Sequence, residues 1–96
     1  MRSPSPADLA LLDPDGSFRA RLEEDLATLA RLRSTGEFGQ VARLVHRLAG
    51  AAGTFGYADV GDIAITLDDE FTAAERSGAE PPDLMPLFAA LARSLN

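Results

Sequence analysis

Cysteine and tryptophan are absent from this 96-residue chain, and histidine occurs once, at position 46. Without cysteine there is no disulfide framework, no thiolate nucleophile and no cysteine-based metal site. A single histidine also puts the usual zinc and haem ligand sets out of reach, so the sequence implies no metal and no other cofactor. Basic charge is scarce. Nine basic residues stand against fifteen acidic ones, a formal charge of -6, whereas nucleic acid and anionic membrane surfaces call for clustered Lys and Arg. No stretch approaches the roughly 20 consecutive apolar residues of a membrane span, and residues 1–6 lack the apolar run of a signal peptide. These absences point to a cytoplasmic protein with soluble partners, without nucleic acid or membrane among them, and with a monomer as the default state.

Apolar alternation with a period of two is missing as well, which excludes strands as the main element. The chain instead divides at breakers into a lead and four helical stretches. Residues 1–6 are expected to fray, 7–12 are long enough for one or two helical turns, and Asp13-Pro14-Asp15-Gly16 interrupts them. A first long helix is predicted over 17–33, N-capped by Ser17, with Phe18, Leu22, Leu26, Leu29 and Leu32 or Arg33 along one face. A second is predicted over 37–55, ended by a left-handed Gly56 and burying Val41, Leu44, Val45, Leu48, Ala52 and Phe55.

The third stretch, 57–76, is stopped by Ser77-Gly78; it buries Tyr57, Val60, Ile63, Ala64, Leu67, Phe71 and Ala74 and turns Asp62, Asp68, Asp69 and Glu75 to water. The fourth starts at Pro81-Pro82-Asp83, with Pro86 tolerated in its first turn, and buries Leu84, Leu87, Phe88, Leu91 and Leu95. Short links between amphipathic helices favour an all-α, antiparallel up-and-down four-helix bundle over 17–96, preceded by a lead over 1–16 with a short extra helix.

Helical geometry decides where the lone histidine points. With about 100° per residue and Val41 as origin, the apolar residues of the second helix fall within about 60°, whereas His46 lies near 140°, facing away from the core. Its helical neighbours three, four and seven positions away are Gly39, Ala42, Arg43, Ala49, Gly50 and Gly53, five of them Gly or Ala. Taken as interior helical glycines, Gly39, Gly50 and Gly53 would cost on the order of 2 to 3 kcal/mol together. A bare surface around an exposed imidazole suits a residue that another protein must reach, with Gly39, Ala42, Ala49, Gly50 and Gly53 as the docking face. The acidic run Asp68-Asp69-Glu70 splays around its helix and reads as a solvated edge rather than a metal site.

The segment His46-Arg47-Leu48-Ala49-Gly50-Ala51-Ala52-Gly53-Thr54-Phe55-Gly56 resembles the signature of histidine-containing phosphotransfer (HPt) domains. In that family an exposed helical histidine is followed by Leu at the second position, Gly at the fourth and a later Gly before the next helix. The resemblance implies that His46 is a phosphoacceptor serving receiver domains of response regulators or hybrid histidine kinases. It implies a covalent phosphohistidine carrier without kinase activity, and places the divalent ion needed for transfer on the receiver. Gly50 would keep the surface low, Leu48 and Phe55 would anchor the helix, and Leu67-Asp68 stands where the family often has Leu-Glu.

Ala49 departs from the pattern, because the family commonly has Lys there, and a missing cation weakens the hold on phosphoryl oxygens. Arg43 and Arg47 are the candidate substitutes, with Arg43 favoured by helical neighbourhood. The alternative reading is a receiver-binding module that uses the same face without being phosphorylated, for which Ala49 is the one feature in favour.

Overall fold

Asp13-Pro14-Asp15-Gly16 both interrupts the chain and starts the first long helix. In the computed structural model, which describes Leu9 and residues 11–95, Gly16 takes a left-handed conformation (φ 72°) and α1 begins at Ser17. The predicted cap at Ser17 is corrected: the Asp13 carboxylate accepts hydrogen bonds from the N–H groups of Phe18 (3.1 Å) and Arg19 (3.0 Å). Ser17 is the first helical residue, and its N–H donates to Asp15 Oδ1. That bond holds the Asp15 carboxyl below its usual range. Residues 1–6, expected to fray, lie outside the described residues; of the short lead helix, Leu9, Leu11 and Leu12 are described and are helical.

Four helices follow: α1 (Ser17–Thr35), α2 (Phe38–Ala51), α3 (Ala58–Ser77) and α4 (Met85–Leu95). Glycines with positive φ close α1 at Gly36 and α3 at Gly78, where the left-handed conformation carries no Cβ penalty. The contacts run α1–α2, α2–α3, α3–α4 and α4–α1, with none across either diagonal among the described residues, so the helices form a closed ring. This is the expected all-α four-helix bundle. Arg19 fastens its ends, donating to the carbonyls of Ser94 and Leu95 at the close of α4.

The predicted stripes form the core, with Leu22, Leu29, Val41, Val45, Leu48, Tyr57, Val60, Leu87 and Leu91 almost fully excluded from water. Each large side chain contributes roughly 1.5 to 3 kcal/mol through burial. Two expectations need correction. The second helix ends at Ala51 rather than at 55, and residues 52–56 turn back so that Phe55 stacks on Phe18 at 4.3 Å between centroids. The fourth starts at Met85 rather than at 81–83, because Asp83 accepts the Met85 N–H and the prolines before it lie outside the helix.

The extensive α2–α3 contact is set by a close approach that the apolar stripes do not reveal. A Cβ added at Gly61 would lie 3.0 Å from the backbone nitrogen of Gly53 and 3.4 Å from its Cα. Backbone atoms cannot swing aside as a side-chain tip can, so this position accepts only glycine without displacing the turn after α2. Gly61→Leu is expected to destabilise the bundle by roughly 1 to 3 kcal/mol and lower Tm by about 5 to 15 °C. An unchanged melting curve would show that the turn yields freely.

Candidate functional site

His46 lies in the third turn of α2, and its side chain is 77% exposed. Its Nδ1–H donates to Asp68 Oδ2 on α3 at 3.0 Å, which leaves Nε2 as the unengaged ring nitrogen. Asp68 is half-buried, its side chain 27% exposed, so it does not face water as its place in an acidic run predicted. About one helical turn separates it from the buried Phe71, which lines the same groove between α2 and α3. Asp69 and Glu70 are exposed, and among the described residues no group of three or more His, Cys, Asp or Glu is placed to hold a metal ion.

The two arginines beside the histidine occupy different environments. Arg43 is exposed, makes no ion pair among the described residues, and lines the same groove as His46, a space of about 620 Å³ between α2 and α3 that Phe38, Ala42, Asp68, Phe71 and Glu75 also line; it borders as well the hollow beside Asp25 and Arg47. Arg47 points the other way, toward α1, where Nη2 donates to Asp25 Oδ1 at 2.7 Å. The Asp25 side chain is only 8% exposed, and its second oxygen is buried without a hydrogen-bond partner. Withdrawing Arg47 toward His46 would strand that carboxylate, and an uncompensated buried charge costs several kcal/mol. Arg47 is therefore committed to structure, and Arg43 is the cation the site has to spare.

Asp25 corrects the reading of α1. The apolar pattern favoured Leu26 for the buried face, yet Leu26 is half-buried and Asp25 sits in the interface. Periodicity tracks apolar residues alone, so a buried acid whose partner lies 22 positions away on another helix leaves no signal in it.

The expected docking face divides in the same way. Gly39 and Ala42 border the groove with Arg43, whereas Ala49 and Gly50 continue along α2 past His46, and Gly53 lies in the turn beyond. None of the three glycines is well inside a helix, because Gly39 is in the first turn and Gly50 in the last. The expected loss of stability from them is correspondingly smaller. At Gly39, Gly50 and Gly53 an added Cβ would meet nothing within 4 Å, so contacts within the bundle do not require glycine there.

A family model described as the Hpt domain matches residues 16–96. Neither a curated protein nor a solved structure matches the chain.

The division between the arginines is open to measurement. Arg47→Met is expected to destabilise the fold by about 1 to 3 kcal/mol, which lowers Tm by roughly 5 to 15 °C. Arg43→Met should move Tm by no more than about 2 °C, as for other exposed substitutions. Equal melting temperatures for the two variants would contradict the assignment of Arg47 to Asp25.

Proposed function

The chain belongs to the Hpt domain family and is a histidine phosphotransfer module of the phosphorelay type, and from that premise we propose that His46 accepts a phosphoryl group from the aspartyl phosphate of a receiver domain and passes it to another receiver. The partners are receiver domains of response regulators or of hybrid histidine kinases. The domain itself acts as a covalent carrier rather than as a kinase.

The observation that carries this reading is the state of the imidazole. An exposed ring whose Nδ1–H is held by Asp68 presents the Nε2 lone pair as its free nucleophile. That lone pair attacks phosphorus in line. The bond from phosphorus to the receiver's aspartate oxygen breaks, and its electron pair leaves with the carboxylate. Nδ1 keeps its proton, so no base is needed, and the positive charge gained by the ring is met by the Asp68 carboxylate 3.0 Å away. Transfer to the next receiver reverses these steps with a new aspartate as nucleophile.

Phosphoryl transfer depends on positioning and on neutralising the equatorial oxygens rather than on covalent work by the protein. Ala49 supplies no charge for this, and Arg47 is held by Asp25. Arg43, sharing the groove with His46, is the residue we assign to the phosphoryl oxygens. Gly39, Ala42, Ala49, Gly50 and Gly53 keep the face low enough for a receiver to bring its aspartate to Nε2. Receiver binding without phosphorylation is the competing reading, and Ala49 is the feature that favours it.

Incubation with phosphorylated receivers is expected to place acid-labile, base-stable phosphate on the wild-type protein and none on His46→Gln. A wild-type protein that binds receivers without acquiring phosphate would support the binding-only reading instead. Arg43→Ala should shorten the phosphohistidine lifetime or slow transfer severalfold; unchanged values for both would remove Arg43 from the mechanism. Gly50→Leu, whose side chain enters open space, should keep the wild-type melting temperature while slowing labelling by receivers. Undiminished labelling would place the docking surface elsewhere.

A further inference from the structure

Few large apolar side chains are well exposed among the described residues: Leu11 and Leu12 in the lead, Met85 at the start of α4, and Ile65 on α3. Only Ile65, 49% exposed, shares a face with His46. The antiparallel register of α2 and α3 establishes this. His46 faces Asp68 and Gly53 faces Gly61, so that seven residues forward on α2 correspond to seven back on α3. In that register Ile65 is level with Ala49. Around the axis of α3 it lies about 60° from Asp68, on the side away from the buried Ala64 and Leu67.

The surroundings of Ile65 have a definite chemistry. The adjoining positions are Ala49 and Gly50 on α2 and Gly53 in the turn after it, and the space above both glycines is open. On α3 the neighbours three before, three after and four after are Asp62, Asp68 and Asp69. Asp62 and Asp69 are exposed and form no ion pair among the described residues, while Asp68 is engaged by His46. An exposed apolar side chain beside small residues, with an acidic rim, has the build of an interface contact in which the apolar centre supplies affinity and the charged rim selects and steers.

We propose that Ile65, with the acidic rim of Asp62 and Asp69, selects the receiver that docks on His46, and that the fitting receiver presents an apolar side chain flanked by Lys or Arg. The inference rests on the phosphorelay reading above, since it takes the occupant of this face to be the receiver brought to His46. The seat lies on the opposite side of His46 from the groove that holds Arg43, so choice of partner and hold on the phosphoryl group are assigned to separate residues. Receivers with an acidic residue opposite Ile65 would be rejected, because a carboxylate would be desolvated among three others.

The test measures KM and kcat for phosphoryl transfer from receivers that label the wild-type protein, using Ile65→Glu, Ile65→Leu and Asp69→Lys, with melting temperature recorded for each. Ile65→Glu is expected to raise KM about tenfold or more while kcat changes little. Ile65→Leu should stay within about twofold of wild type, as a volume-conserving apolar exchange. Asp69→Lys, which disturbs no packing, should raise KM roughly two- to fivefold and flatten its dependence on salt. Wild-type KM for both Ile65→Glu and Asp69→Lys with every such receiver would overturn the proposal while leaving the relay intact. Failure of all receivers to label the wild-type protein would overturn the relay reading, and the seat with it.

Discussion

The contact between α2 and α3 is the constraint on which the rest of this molecule depends. At Gly61 the chain comes so near the turn after α2 that a single added carbon would press on backbone, and this closeness fixes how the two helices are aligned. The alignment carries Asp68, seven residues past Gly61, to 3.0 Å from His46. A slip of one residue would rotate the acid by about 100° and break the pairing.

On the opposite flank of α2 a charge pair adds to the apolar packing against α1. Asp25 is sunk in the interface with α1 and accepts a hydrogen bond from Arg47. The energetics of a buried carboxylate make this pairing hard to exchange. Two adjacent residues of one helix thereby take opposite duties: His46 turns outward to chemistry, and Arg47 turns sideways to hold α1. Arg43, one turn earlier, is left unpaired beside the groove.

The neighbourhood of His46 then divides along the helix axis. Toward the start of α2 lies the groove that Arg43 shares with Asp68 and Glu75. Toward its end, Ala49 and Gly50 lie beside the exposed Ile65 of α3. Ala49 carries no charge, so the position level with Ile65 is apolar.

Much of this was legible in the amino-acid order. The apolar periods marked four helices and nearly all of the core, because burial of one face per helix is a local property that repeats every three or four residues. The same arithmetic turned His46 outward, and the small residues around it marked a face meant for approach. Helix ends were less legible: the cap came from Asp13 rather than Ser17, and α2 stopped at Ala51, since termini depend on which donors and acceptors the turn brings together. The partners of charged side chains were not legible at all. Asp68 looked like part of a solvated run, Arg47 stood second to Arg43 as a candidate cation, and no local period marked Asp25 as buried. Each assignment depends on a residue 22 positions away, brought near only by the register of packed helices. The sequence by itself determined the bundle, the exposure of His46 and its place in the Hpt family. Tertiary structure alone decided which acid holds the imidazole, which arginine is free, and which apolar side chain stands beside the reacting nitrogen, because pairing between helices follows from packing, which no local period encodes.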